Sequence, residues 1–285
     1  MRWKTGRRSS NIEDRRGSRI SRGLFKGGIG TIVLALAASY FLGINPLVFL
    51  QLSQGLTPAG SGTDAPYEPT PEEREMADFV AVVLADTEDT WETIFREAGR
   101  TYQKPNLVLY TDRIQSACGA GSAAMGPFYC PGDNRVYLDL AFFDDLKRRH
   151  GAPGDFAQAY VIAHEIGHHV QNLLGINEQV RSAQRGLGKG ESNALSVKQE
   201  LQADCFAGLW GNHADRSRQV LERGDIEEAL DAATAIGDDR LQKQSTGHVV
   251  PESFTHGTSR QRVEWFKRGI DSGDIDSCNT FAADI

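Results

Sequence analysis

Residues 159–172, AYVIAHEIGHHVQN, combine side chains that bind metals and transfer protons. His164 and His168 stand four positions apart, with Glu165 between them. On a helix, positions four apart differ by about 40° around the axis, so both imidazoles would lie on one face. Two such nitrogens can hold one zinc ion, and a neighbouring glutamate can act as base towards water. The spacing therefore predicts zinc-hydrolase chemistry, with two histidine ligands and Glu165 as a catalytic residue.

A third protein ligand is expected downstream, because a catalytic zinc usually takes three and leaves a position for water. Residues 196–210, SVKQELQADCFAGLW, place Glu200 and Asp204 on one helical face among apolar neighbours. These neighbours argue against a solvated acidic face, and buried carboxylates need a cation. We predict Glu200 as the third ligand and Asp204 as the acceptor for a ring N–H of a ligand histidine. Ser196 and Gln199 predict that a new helix begins here.

Helices and a few strands must position these residues. A helical pattern of apolar residues begins at Glu72, and Asp155 suits the start of the motif helix. Residues 107–112 and 135–140 are strand candidates, and the rest of the chain is mainly helical in pattern. The predicted fold class is α+β, mostly helical, with a small sheet.

The N-terminal quarter predicts a membrane anchor and a linker. Residues 1–26 are basic, and residues 27–50 lack charge over the roughly 20 positions a spanning helix requires. The positive-inside rule places the basic tail in the cytoplasm. A cleaved signal peptide or a buried core helix are the alternatives, but the apolar run is long for the first and lacks a polar stripe for the second. Residues 51–71 are predicted to be a flexible linker, so the catalytic domain spans residues 72–285.

The net charge and the cysteine content narrow the class of protein and its cellular compartment further. The net charge is −7 despite the basic tail, so the body is acidic, which argues against nucleic-acid binding. Cys118, Cys130, Cys205 and Cys278 all follow the predicted anchor, and an even number beyond a membrane predicts two disulfides. Proximity favours Cys118 with Cys130, leaving Cys205 with Cys278. Four reduced, buried thiols are the alternative.

The segments HEIGHH, ELQAD and FTHGTSRQR, with GPFYCPGDNRVYLDLAFF before them, resemble the bacterial neutral zinc metallopeptidase family. The resemblance covers nearly the whole chain. It implies one catalytic Zn²⁺ held by His164, His168 and Glu200, with Glu165 as the base and Asp204 as the carboxylate that orients His164. It also implies a thermolysin-like helix core and a single-pass protein of the bacterial inner membrane, its catalytic domain periplasmic or extracellular.

Peptide hydrolysis also needs a donor for the developing oxyanion. His256 is the predicted donor, just before a helix start marked by Thr258 and Gln261. Arg260 and Arg262 are the alternatives, and His256 could instead be a loop or capping residue. The other histidines are predicted to be structural or surface residues: His150, His169, His213 and His248.

The predicted activity is hydrolysis of peptide or unfolded-protein substrates, with endopeptidase favoured over exopeptidase. In zinc peptidases of this broad type an edge strand pairs with the substrate backbone, and residues 123–129, AAMGPFY, are the candidate. A disulfide-closed surface loop without that role is the alternative. The same motifs would suit an inactive zinc-binding scaffold or regulator, or a zinc amidase that acts on another cell-envelope amide.

Overall fold

The computed structural model describes residues 1–17, 67–122 and 125–283. The predicted anchor at residues 27–50 and nearly all of the predicted linker lie outside these ranges. Within the described ranges, every helix is too short or too polar to cross a bilayer.

Helices make up most of the described chain, which confirms the predicted class. Their bounds are α1 (Pro71–Glu97), α2 (Ala141–Arg148), α3 (Asp155–Leu173), α4 (Ile176–Ala183), α5 (Lys189–Arg218), α6 (Asp225–Ala235), α7 (Asp238–Thr246) and α8 (Ser259–Ser272). The motif helix is α3.

A small mixed sheet lies beside the helices. The described strands are β1 (Ile12–Asp14), β2 (Asn106–Tyr110), β3 (Arg113–Ser116), β4 (Gly119–Ser122), β5 (Phe128–Cys130) and β6 (Arg135–Asp139). The sheet has the order β1-β2-β6-β5, in which β1, β2 and β6 are parallel and β5 runs antiparallel to β6. Strands β3 and β4 form a separate antiparallel ribbon. Both predicted strands, β2 and β6, are present, and β5 forms an edge of the described sheet.

The N-terminal residues belong to the same folded unit as the helices. Met1–Arg16 and Pro69–Ile285 form one compact unit, and Ile12 in β1 pairs with Leu107 in β2. The sequence instead predicted a separate cytoplasmic tail over residues 1–26 and a domain on the other side of a membrane. Two hydrogen-bonded strands of one sheet lie on the same side of any bilayer, so in this fold residues 12–14 lie on the same side as β2.

A buried carboxylate on α1 holds this N-terminal segment in place. Glu88 is 1% exposed and accepts hydrogen bonds from Arg7 (2.9 Å), Ser9 (2.5 Å) and Asn11 (2.7 Å). A buried carboxylate without such donors would be costly, so the contacts stabilise the docked segment. They were missed in the sequence because they join positions about eighty residues apart.

Buried aromatic residues fix the helix layer that carries the motif. The Trp210 ring on α5 stacks on Phe156 of α3, with centroids 5.7 Å apart and planes at 15°. Its indole N–H donates to Asp86 on α1 at 2.8 Å, which satisfies the one polar atom of a fully buried ring. Three helices are therefore joined at one side chain.

Glycines let the helix backbones touch. A Cβ atom at Gly167 of α3 would lie 3.1 Å from the Cα of Ala203 on α5. Where α5 crosses α8, a Cβ at Gly208 would lie 2.1 Å from the carbonyl oxygen of Phe266, and one at Gly269 would lie 2.0 Å from that of Cys205. The separations at Gly208 and Gly269 are far below van der Waals contact, so the α5–α8 crossing depends on the missing side chains, while the α3–α5 contact at Gly167 is tight.

Two disulfides confirm the predicted pairing. Cys118 is bonded to Cys130, and Cys205 to Cys278. The first bond ties the β3–β4 ribbon to β5. The second ties the middle of α5 to the segment that follows α8.

One predicted helix start is wrong and another is right. Helix α5 begins at Lys189, not near Ser196, because the Glu191 carboxylate accepts the backbone N–H of Gly188 at 3.1 Å and closes the first turn there. For α8, the hydroxyl of Thr258 accepts the N–H of Gln261 at 3.2 Å, as the capping pattern predicted.

Candidate metal centre and its cleft

The structure brings three predicted ligands together from two helices. One turn of α3 presents His164 and His168, and α5 presents Glu200 across from them. The Nε2 atom of His164 lies 3.2 Å from one Glu200 oxygen, and the Nε2 atom of His168 lies 3.4 Å from the other. All three candidate ligand atoms lie within 4.8 Å of one another, close enough to share one ion. Gly167, between the two histidines, is where α3 lies close to the α5 backbone at Ala203.

The remaining ring nitrogens show which atoms are available to a metal. His164 Nδ1 lies 2.8 Å from a carboxylate oxygen of Asp204, which can only accept, so this nitrogen carries the hydrogen. His168 Nδ1 lies 2.9 Å from the amide oxygen of Gln171. The amide nitrogen of Gln171 donates to the Gln199 carbonyl at 2.6 Å, which fixes the amide orientation. Both Nε2 atoms are thus left as ligands, and the set of two imidazoles and one carboxylate fits zinc.

Asp204 is the centre of a buried network behind the histidines. It is completely buried and accepts from His164, from the Tyr160 hydroxyl at 2.6 Å and from Arg262 at 2.9 and 3.0 Å. These donors hold the carboxylate in one orientation. The carboxylate in turn holds the His164 ring, as the resemblance implied.

The charges of this cluster favour a cation. Burial lowers the pKa of His164 and His168, but carboxylates outweigh burial: Asp204 raises the pKa of His164 to about 10, and Glu200 raises that of His168. Burial raises the pKa of Glu200, and the two rings overcome this and hold it well below its usual range. With neutral imidazoles, the carboxylates of Glu165, Glu200 and Asp204 face a single guanidinium, so a divalent ion would balance the cluster.

Glu165 lies beside the ligands at the wall of an open cleft. The cleft has a volume of about 1030 Å³, and His164, Glu165, His168 and Glu200 all line it. Glu165 is 8% exposed, and burial raises the pKa of its carboxyl group, while both histidines lower it. A carboxylate with a raised pKa at a metal group suits proton transfer.

His256 lines the same cleft and is oriented by a carboxylate. Its Nδ1 lies 3.1 Å from an oxygen of Asp238 at the start of α7, and the hydrogen bond to Asp238 raises the pKa of the imidazole. The other Asp238 oxygen accepts the backbone N–H groups of Thr255, His256 and Gly257 at 2.7, 2.6 and 3.2 Å. Asp238 thus fixes both the loop and the ring.

The two alternative oxyanion donors take different places. Arg262 also lines the cleft, but it is buried, and its Nε and one terminal nitrogen are bonded to Asp204 behind the His164 ring. Arg260 is exposed on α8 and does not line the cleft. Of the three predicted donors, His256 therefore has the most suitable position.

The predicted substrate strand and the other histidines are also located. Met125–Tyr129, the described part of the candidate segment, lines the cleft, and β5 is the sheet edge on that side. His169 is buried, so it is a packing residue and not a surface one. His150 lines the cleft, His213 bonds the Gly273 carbonyl at 2.8 Å, and His248 is exposed.

Three residues of the site were missed in the sequence. Gln171 follows His168 by three positions, so helical periodicity could have indicated it. Tyr160 precedes His164 by four positions and was accessible to the same argument. Asp238 carried no local signal, because it meets His256 only through the fold.

An open cleft with a candidate zinc group on two packed helices defines a metallohydrolase-like site, and the comparisons agree with this class. The chain belongs to the family described as "Putative neutral zinc metallopeptidase", which matches residues 1–281. This confirms the predicted resemblance.

Among curated proteins, "Uncharacterized protein YpfJ" of Escherichia coli (strain K12) is 53% identical over the whole of both chains. "Uncharacterized protein Rv2575" of Mycobacterium tuberculosis (strain H37Rv) is 40% identical over 72% of each chain. No solved structure matches the chain.

Proposed function

We propose that this protein is a zinc-dependent metallopeptidase that hydrolyses peptide bonds within extended or unfolded polypeptides. The observation that carries the proposal is the group formed by His164, His168 and Glu200, with Glu165 beside it in an open cleft. The family to which the chain belongs supports the same reading.

Each residue of the site has its own role in the proposed hydrolysis. Zinc held by His164, His168 and Glu200 would supply Lewis acidity towards water and a peptide carbonyl. Glu165 takes the proton of the attacking water and delivers it to the departing amine nitrogen. His256, whose pKa is raised by the hydrogen bond to Asp238, donates a hydrogen bond to the negative charge that develops on the carbonyl oxygen.

The cleft suits a chain that passes through it. Within the described sheet, β5 pairs with β6 on one side only, and the residues from Met125 onward line the cleft. An extended substrate could pair with this edge by β-augmentation. A cleft of about 1030 Å³ has room for more than one residue of such a chain, which supports endopeptidase over exopeptidase activity.

The two disulfides support a location in an oxidising compartment outside the cytoplasm, as in the bacterial periplasm. We propose membrane attachment through residues 27–50, which lie outside the described residues. In this proposal residues 1–16 share the compartment of the domain, because β1 is part of its sheet.

The test uses the full-length chain, because a truncation near residue 72 would remove β1. Zinc stoichiometry and cleavage of an unfolded protein are measured for the wild type and for Glu165→Gln. We expect one zinc per chain in both and cleavage by the wild type alone. Equal cleavage by both would exclude Glu165 as the base.

The alternatives give different results in the same assay. An inactive scaffold would retain zinc, and the wild type would cleave no peptide in a mixed-sequence library. An envelope amidase would leave that library intact and hydrolyse a non-peptide amide of the cell envelope in a Glu165-dependent way. Absence of bound zinc would overturn all three readings.

A further inference from the structure

His169 follows a candidate metal ligand but faces away from the metal group. It is 1% exposed, and its Nε2 lies 2.6 Å from the carbonyl oxygen of Gln103, just before β2. A carbonyl oxygen can only accept, so Nε2 carries the ring hydrogen and donates it. The Nδ1 atom of the neutral ring is therefore a bare acceptor.

The donor to this acceptor comes from the edge strand. The Tyr129 hydroxyl on β5 lies 3.1 Å from His169 Nδ1. The same oxygen accepts from the amide nitrogen of Asn172 at 3.1 Å and lies 2.9 Å from the amide oxygen of Asn134. The Asn134 oxygen already accepts a hydrogen bond from Asn172 at 2.8 Å, whereas no other donor among the described residues bonds His169 Nδ1, so we assign the hydroxyl hydrogen of Tyr129 to His169.

The contact joins two walls of the cleft. His169 lies on α3, which carries His164 and His168, and Tyr129 lies on β5, whose residues line the same cleft. The rings also meet edge to face, with centroids 5.4 Å apart. The pair is therefore a direct contact between the strand and the ligand helix.

We propose that His169 and Tyr129 form a clamp that sets the width of the substrate groove, and that both are positioning residues for extended peptide binding along β5. This rests on the proposed peptidase function. The clamp acts on ligands that lie along the strand. It leaves unaffected a small ligand that reaches only the metal group.

If the clamp sets the groove width, its loss should weaken the binding of one kind of inhibitor and not of another. Zinc-loaded full-length protein is titrated with a peptidyl hydroxamate, which extends along the groove, and with acetohydroxamate, which does not. In Tyr129→Phe and in His169→Phe we expect about tenfold weaker binding of the peptidyl compound, with acetohydroxamate affinity and zinc stoichiometry unchanged. The double variant should lose no more than either single variant, because one contact is broken in all three.

Tyr102→Phe is the matched control. The Tyr102 ring also meets His169 edge to face, at 5.8 Å, but its buried hydroxyl has no hydrogen-bond partner among the described residues. Removal of that hydroxyl should change the binding affinity of neither inhibitor. Any loss of folding in the clamp variants would lower zinc stoichiometry and both affinities together.

The outcomes separate the two proposals. If the wild type binds both hydroxamates but cleaves no peptide, the proposed function fails and the clamp is still tested. If the wild type cleaves peptide and Tyr129→Phe and His169→Phe bind the peptidyl hydroxamate as the wild type does, the clamp is overturned. Equal weakening of both inhibitors would also overturn it, since that result means a general disturbance of the metal group.

Discussion

Arg262 donates hydrogen bonds to both carboxylate oxygens of Asp204, from Nε at 3.0 Å and from a terminal nitrogen at 2.9 Å, and both side chains are buried. The oxygen that faces the terminal nitrogen also bonds Nδ1 of His164 at 2.8 Å. The Arg262 guanidinium on α8 thus fixes the orientation of the Asp204 carboxylate on α5, and this carboxylate orients the His164 ring on α3.

Arg262→Met should destabilise the fold strongly. The change leaves Asp204 buried with its main counter-charge removed, which costs about 3–5 kcal/mol in comparable buried pairs. The measurement is the free energy of unfolding from urea titration. Arg260→Met, an exposed arginine of the same helix, is the control and should change stability by less than about 0.5 kcal/mol. Equal losses would contradict the special role of Arg262.

Glu200→Gln should weaken zinc binding by more than about 100-fold. Loss of a residue that only hydrogen-bonds a ligand typically costs about 10- to 100-fold, and here the anionic ligand itself is replaced by a neutral amide. Competition against a chelator of known affinity measures this. Glu191→Gln, in the exposed first turn of the same helix, should bind zinc as the wild type does. Unchanged affinity in Glu200→Gln would exclude it as a ligand.

Asp238→Asn should move the alkaline limb of the pH–activity profile to lower pH. Asp238 raises the pKa of His256, so the charged imidazole is present below that raised pKa and is lost as pH rises through it. Without the carboxylate, the loss begins at lower pH. The measurement is kcat/KM from pH 5 to 10. Asp239→Asn removes the charge of a neighbouring carboxylate that bonds Ser259 and not His256, so it should leave the limb in place. An unmoved limb in Asp238→Asn would exclude a charged His256 from the reaction.

The two disulfides should contribute unequally to stability. Cys205–Cys278 spans 73 positions and Cys118–Cys130 spans 12, so loop entropy favours the first, at about 4 against about 3 kcal/mol. Urea titrations of the two paired Cys→Ala variants compare them. We expect the larger loss and reduced zinc retention for the 205/278 pair, since Cys205 follows Asp204. A larger loss for the 118/130 pair would contradict this.

Reporters fused to the two chain ends should lie in the same compartment. The physical reason is the pairing of β1 with β2, which holds residues 12–14 in the sheet of the domain. Fusions with a reporter active only outside the cytoplasm, made at each end in turn, provide the measurement, and a cytoplasm-specific reporter at the same ends is the control. Opposite compartments would show that β1 is not docked in the cell.

The candidate metal ligands were predictable from the sequence because their arrangement is local. His164 and His168 are brought together by helical periodicity alone, and Glu200 and Asp204 share a face for the same reason. Only the packing of one helix on another had to be supplied by the fold. The apolar residues around Glu200 already indicated that packing.

The rest depended on contacts between distant positions. Residues 12–14 are too few to predict a strand, and they become one only beside Leu107. The start of α5 was misplaced because Ser196 offers the same capping chemistry inside a helix as at its start. Arg262 was considered as an oxyanion donor since nothing local reveals that Asp204 lies 2.9 Å away.

The helix crossing at Gly208 and Gly269 affects the candidate metal centre although it lies away from the ligands. Each glycine has room there for a hydrogen atom and nothing larger. A single methyl group at either position would overlap the facing backbone, so α5 and α8, which carry Asp204 and Arg262, could not keep their present separation. The tolerance of the zinc group to sequence change is thus governed in part by two positions that touch neither zinc, water nor substrate.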